Sequence, residues 1–451
     1  MEGLSSIYAD FICETSYDKL PPEVVKKAKE QILDLIGVSL AGYKLMEFPQ
    51  LVVDYLASLG GSPQATIFAT KQKLPAINAV MANATCAHAL DMDDGHRYAA
   101  LHPGAVVIPT AIAAAEMVEA DTTRLIAGVV VGYEVMIRIG MAINPSSLRR
   151  GFHTTGTVGA FGAAATAANI MRLNHEETVS ALGITGLQGA GLLQVNHEAE
   201  GAKVKPINPA KAAMSGLFSS ILSQKGARGP VKILEGEDGF LRAMADEVNE
   251  EVLTRNRGKE FEICNVYTKF YAACRHVHAS IDAALKAQEG GVDIAKIREI
   301  SVETYPAALR LAGIEHPTTA SAARFSIPFS VALALIKRNA SAVEYSEENI
   351  RDKGIQSLAE KVQLSVDSKW ERLYPDKRGA TVSITDLNNR VWSAEVGLAK
   401  GEPENPGSEE DIHRKFYANA TLLRSERVAK LLENTIMDLE KTSLDGFVKL
   451  I

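Results

Sequence analysis

Histidines and acids are densest at His88-Ala89-Leu90-Asp91-Met92-Asp93-Asp94-Gly95-His96, with His102-Pro103-Gly104 close behind. Three acids and three histidines within 15 residues suit either proton transfer or metal ligation. The spacing matches neither an HExxH helix nor an EF-hand loop, so no metal site is expected. The same aspartates would also serve as caps for the next helix. A second cluster, Gly151-Phe152-His153-Thr154-Thr155-Gly156, continues to Gly159-Ala160-Phe161-Gly162. No strand pattern precedes it and no Lys-Ser/Thr pair closes it, which argues against a phosphate loop. His153 instead falls at the start of a helix, where the N-terminal dipole favours a neutral imidazole; a structural histidine bound to backbone is the competing reading. Two cationic stretches complete the set. Lys203-Val204-Lys205-Pro206 is one, and Lys269-Phe270-Tyr271-Ala272-Ala273-Cys274-Arg275-His276-Val277-His278 is the other, with no acid between Cys264 and Asp282. Cations without neighbouring acids in an acidic protein suit an anionic small molecule, against the plainer alternative of solvated surface charge.

The elements that must position these residues belong to an ordinary globular chain. It has 451 residues, 46% apolar and 23% charged, which excludes disorder, and its 34 glycines show no collagen period. A net charge of −7 speaks against nucleic-acid or anionic-membrane partners. Cys13, Cys86, Cys264 and Cys274 form no CxxC pair, so a reducing compartment without disulfides or thiolate zinc is expected. The stretch Met1 to Tyr17 carries Glu2, Asp10 and Glu14 and does not read as a signal peptide. The apolar run from Leu125 to Ile143 is interrupted by Glu134 and Arg138 and does not read as a membrane span. The expectation is a cytoplasmic protein.

Up to about residue 264 the pattern is helical. A helix starts at Pro21-Pro22-Glu23 and ends near Gly42, and Ala- and Gly-rich helices are predicted over 105–118, 125–142, 154–171 and 208–225. Small residues on several faces let helix axes approach closely, as inside a bundle. After about 265, alternation at Ile300, Val302 and Thr304, at Val362, Leu364 and Val366, and at Ala380, Val382 and Ile384 predicts strands. A turn at Asp386-Leu387-Asn388-Asn389 leads to another strand through Val396. Helices are predicted at 276–288, 319–337 and 347–360, and Gly401 to Gly407 reads as a linker. The fold class is therefore mainly α, with a helical unit at 1–264, an α+β unit at 265–402, and C-terminal helices at 403–451 that dock back on the first.

Taken together the clusters resemble the MmgE/PrpD family, which includes 2-methylcitrate dehydratase, cis-aconitate decarboxylase and iminodisuccinate epimerase. The matching stretches run in family order. They are His88 to Asp94 with His102-Pro103-Gly104, Gly151-Phe152-His153-Thr154, Lys205-Pro206, Lys269 to Arg275 with His278, and Ala323-Arg324-Phe325-Ser326-Ile327-Pro328-Phe329. The resemblance implies an all-α domain built from both chain ends, an inserted α+β lid, a cofactor-free homodimer, and an active site in the cleft between the domains. It also implies that Asp91, His102, His153, Lys205 and Lys269 line the pocket. Three positions depart from the family pattern. Gly95 stands where Thr is common, Phe329 where Tyr is common, and Cys274 where the decarboxylase has His.

The substrate class so implied is a di- or tricarboxylic acid. Removing a proton beside a carboxylate builds negative charge, so the site needs cations, a base and an acid. Lys205, Lys269 and Arg275 are expected to hold carboxylates, with Cys274, His278, Gly95 and Phe329 also at the substrate, His153 or Asp91 to take the proton, and His102 to protonate a departing hydroxyl. The leading expectation is a dehydratase of a 2-methylcitrate-like acid. Epimerisation or decarboxylation of a related acid, and a non-catalytic acid-binding protein, are the alternatives.

Overall fold

The computed structural model describes residues 3–196 and 198–451. Helices dominate, in keeping with the mainly α expectation. The central ones are Pro22–Leu45, Ala76–His88, Gly104–Met117, Thr122–Ile143, Gly159–Met171 and Ile207–Gln224. Thr122–Ile143 is long and apolar enough to cross a membrane, yet it lies buried in the helical body, where Glu134 and Arg138 pair with each other. Close approach of the axes depends on residues without side-chain bulk. A Cβ on Gly132 would stand 2.0 Å from Thr166 Oγ1 of the neighbouring helix. The C-terminal helices Glu409–Ala420 and Glu426–Met437 pack on Pro22–Leu45, and Ile412, Phe416, Leu432 and Ile436 belong to the same core as Ile32 and Ile36.

A second core is built on a four-stranded sheet in the order 362–366, 297–304, 380–386, 391–396. The first pair is parallel, with Val302 opposite Leu364, and the other two are antiparallel, with Val302 opposite Val382 and Val382 opposite Ala394. Ile300, Val302, Val382 and Ile384 point one way and are fully buried, as period-2 alternation requires. The helix Arg275–Gln288 covers the last two strands and packs against Ile327–Lys337. This core also takes in Val38, Ala41, Leu90 and Met92 from the helical body, so the loop bearing Asp91 is packed from both sides.

Three predicted helices are divided. The 154–171 segment breaks at Val158 into Thr154–Thr157 and Gly159–Met171, where glycines and threonines give little helical preference. The 319–337 segment breaks because Ser326 caps a new helix by accepting from the Phe329 N–H, with Pro328 in its first turn. The 347–360 segment restarts at Asp352, which caps Lys353–Ala359 through the Ile355 N–H. A two-residue ladder that periodicity did not reveal pairs Gly95 with Tyr267 and His96 with Val266.

Candidate active site

The helix Ala76–His88 ends in a tight turn that places Asp91 in the left-handed region, at φ 49°. Aspartate tolerates this region better than most residues. Its carboxylate is buried and meets two ammonium groups. Lys205 Nζ lies 2.9 Å from Oδ2, and Lys269 Nζ lies 2.5 Å from Oδ1 and 2.8 Å from the Asp91 carbonyl. Burial opposes ionisation of Asp91, but the two lysines outweigh it and hold the carboxyl well below its usual range. Such a carboxylate is a poor base. Proton removal is expected of His153 or Asp91; here the Asp91 carboxylate is engaged with both lysines.

His102 is held differently. Its Nδ1 lies 2.8 Å from the Asp94 carbonyl and 3.4 Å from Asp93 Oδ2, both acceptors, so Nδ1 carries the proton. Nε2 is then the bare nitrogen, 3.9 Å from Asp91 Oδ1. Burial first, and then the nearby lysines and His88, keep this ring neutral against the pull of Asp93. A neutral imidazole with its lone pair turned toward Asp91 fits a base better than an acid. The role expected of His102 from sequence is that of the acid; this geometry is the basis of the base role proposed below. His153, which precedes a short helix, is also kept neutral, mainly by burial and then by Lys205. Its Nδ1 is buried without a hydrogen-bond partner.

Behind these groups His88 Nδ1 donates to Asp93 Oδ2 at 2.8 Å, and Asp94 accepts from the Gly104 N–H and the Tyr133 hydroxyl. Lys415, from the C-terminal helices, donates to Asp34 Oδ2 at 2.8 Å and to the Met92 carbonyl at 2.9 Å, pinning the same loop from below. His88, Asp93 and His102 bring their ligand atoms within 4.8 Å of one another, a donor set that could hold a metal ion. Lys269 opposes a further cation there, because its charge already bears on both Asp93 and His102.

Asp91, its two lysines, His102 and His153 face a cavity of about 80 Å³ between the helical body and the α+β unit. One water needs roughly 10–15 Å³ by this measure, so the space suits a small molecule rather than a nucleotide. Asp91, His102, His153, Lys205, Lys269, Cys274 and Arg275 line it, as the sequence led us to expect. Burial raises the Cys274 thiol, so it stays protonated. Arg275 does not offer its fork to a ligand. Its Nε and Nη2 both lie 2.9 Å from Glu402 Oε1, while Nη1 faces His278 Nδ1 at 3.1 Å.

Three predicted substrate-binding residues do not reach the cavity. His278 sits behind Arg275, its Nε2 bonded to the Ala273 carbonyl. Phe329 is buried in the sheet-bearing core beside Tyr345, because the new helix start at Ser326 turns it away. Gly95 meets Tyr267, where an added Cβ would stand 2.3 Å from the phenol oxygen. The glycine thus makes room for a tyrosine that does line the cavity.

Sequence reasoning missed Tyr267, His276, Phe325, Tyr374 and Arg378, all in the wall. His276 lies inside the quoted cationic stretch and could have been found there. Tyr374-Pro375-Asp376-Lys377-Arg378 has the composition of a solvated turn, and nothing in its spacing marks it as a cavity wall. It is carried there by contacts with the loop after His96. Tyr98 donates to Asp376 Oδ1, Arg97 donates to the Asp376 carbonyl and to Glu404, and Arg378 Nη2 donates to the Arg97 carbonyl.

Family models of the MmgE/PrpD N-terminal domain and the MmgE/PrpD C-terminal domain match residues 7–252 and 271–440. The chain belongs to the MmgE/PrpD family. Across the whole chain, the MmgE/PrpD relatives it resembles include cis-aconitate decarboxylase of Aspergillus terreus, 25% identical over 477 aligned positions that cover 100% of this chain and 96% of the relative. The human cis-aconitate decarboxylase is 24% identical, covering 98% of this chain and 94% of the relative. The mitochondrial 2-methylcitrate dehydratase of Yarrowia lipolytica is 24% identical over 337 positions, 70% of this chain and 62% of the relative.

Proposed function

We propose that this MmgE/PrpD protein is a lyase that dehydrates a 2-methylcitrate-like hydroxy di- or tricarboxylic acid without an organic cofactor. The observation that carries the reading is a neutral His102, its tautomer fixed by the Asp94 carbonyl, beside the Lys205–Asp91–Lys269 cluster in one buried cavity. His102 Nε2 takes the proton from the carbon next to a carboxylate. The electron pair is stabilised by the lysine ammonium groups and then forms the double bond as the carbon–oxygen bond breaks. The imidazolium so formed on His102 gives that proton to the departing hydroxyl, water leaves and His102 returns to its neutral form, while His153, neutral and with its Nδ1 unpartnered, lines the same cavity. The low-polarity surroundings strengthen each of these charge interactions.

Decarboxylation is the second reading, favoured by the full-length similarity to cis-aconitate decarboxylases. It begins with loss of carbon dioxide, whose leftover electron pair the lysines would stabilise, and then needs an acid to protonate the carbon, a role that suits a neutral His102 less well. Proton NMR in heavy water with 2-methylcitrate, citrate, cis-aconitate and malate separates the two. A new alkene signal from a hydroxy acid is the expected result. Loss of a carboxylate from cis-aconitate would establish the second reading, and exchange without loss an epimerase. No change in any acid would overturn all three.

A further inference from the structure

Resting on the reading of this cavity as a polycarboxylate site, we infer that Arg378 receives a second carboxylate of the substrate, with the Tyr267 phenol beside it, and so selects acids that carry at least two. Arg378 is only 7% exposed and lines the cavity. Of the two arginines in the cavity wall, Arg275 and Arg378, it is the one without an ion pair among the described residues. Arg275 is paired with Glu402, Arg97 with Glu404, and Arg324 donates to the Leu90 and Ala272 carbonyls. Arg378 has no ion-pair partner among the described residues. It makes one hydrogen bond, from Nη2 to the Arg97 carbonyl at 2.5 Å, and its Nε is buried with no partner. Glu402 acts on it at a distance but makes its hydrogen bonds to Arg275.

Tyr267 completes the subsite. It lines the cavity, with its ring 5.9 Å from the Arg378 guanidinium and 4.7 Å from that of Arg275. None of these contacts is shared with Asp91, so Arg378 marks a different point of the wall from the two lysines. Four cations of the wall, Lys205, Lys269, Arg275 and Arg378, are offset by two carboxylates, Asp91 in the wall and Glu402 behind Arg275. A buried guanidinium with unused donors is costly unless an anion arrives, and its planar fork fits a carboxylate.

The test is calorimetric titration of the full-length protein with citrate, malate and lactate. Wild-type protein is expected to bind citrate and malate more tightly than lactate. Arg378→Gln should weaken citrate and malate at least tenfold and lactate less than twofold, and Arg378→Lys should recover part of the loss. Lys269→Met should weaken all three. Should Arg378→Gln fail to fold by circular dichroism, Tyr267→Phe replaces it, with an expected loss of about threefold for citrate and malate only. Citrate binding unchanged in Arg378→Gln or in Tyr267→Phe, with Lys269→Met impaired, would overturn the subsite while leaving the cavity reading intact. Equal losses for citrate and lactate would also overturn it, as a field effect without selection. Binding of none of the acids to wild-type protein would overturn both.

Discussion

A carboxylate between two ammonium groups is unusual in a site meant to bind carboxylates, because Asp91 competes with the ligand for the same donors. The arrangement makes sense if Asp91 holds the lysines at fixed positions and leaves each with donors to spare, since an ammonium has three. Lys269→Met would leave a buried carboxylate with one cation, and breaking such a pair costs about 3–5 kcal/mol. We expect kcat/KM to fall by at least ~10²-fold, measured by steady-state kinetics on the acid that the NMR panel identifies. The pH profile follows from His102. Because burial holds its pKa well below the ordinary value of about 6.5, the base form persists as pH falls through 6.5. The acid limb of kcat/KM should therefore lie below pH 6.5, and a limb at 6.5 or above would assign the base elsewhere. The same depression bears on stability. Below about pH 6.5 the unfolded chain takes up a proton that buried His102 refuses, so this contribution to stability is lost as pH falls. A His102→Gln variant should lose less stability than wild type between pH 7 and 5 in urea titrations.

Elements, rather than single residues, decide which positions count. Sequence pattern was enough to place His102, His153, Lys205 and Lys269, because each sits in a run of chemically unusual residues. It failed for Phe329 because one serine, Ser326, restarts a helix that periodicity runs through, turning the ring into the sheet-bearing core. Phe329→Tyr should accordingly leave substrate preference unchanged, and a shift in the ratio of kcat/KM values between two acids would contradict the placement. Gly95 misled in another way, since it acts on the cavity through Tyr267 across a two-residue ladder. Gly95→Thr forces atoms into the phenol's place. Overpacking of this kind costs typically 1–3 kcal/mol, so a lower Tm by differential scanning calorimetry and weaker acid binding are expected together.

On the scale of the whole molecule, two cores share one loop. Leu90 and Met92 belong to the sheet-bearing core, while Lys415 reaches Asp34 and the Met92 carbonyl from helices more than 300 residues away in sequence. Such long-range pairings leave no trace in local spacing, which is why the helical and sheet regions were readable and the wall built by 374–378 was not. Lys415→Met would strand buried Asp34 without its cation. A loss of about 3–5 kcal/mol in denaturant titrations is expected. The cation excess of the closed cavity also bears on how a turnover ends. Dehydration removes a neutral molecule and keeps every carboxylate, so the alkene product is held as firmly as the substrate and should be a strong competitive inhibitor. Decarboxylation deletes one negative charge, so its product meets a weaker field and departs more readily. The ratio of product inhibition constant to KM thus carries a signature of the chemistry, written by the charge of the walls rather than by the catalytic groups.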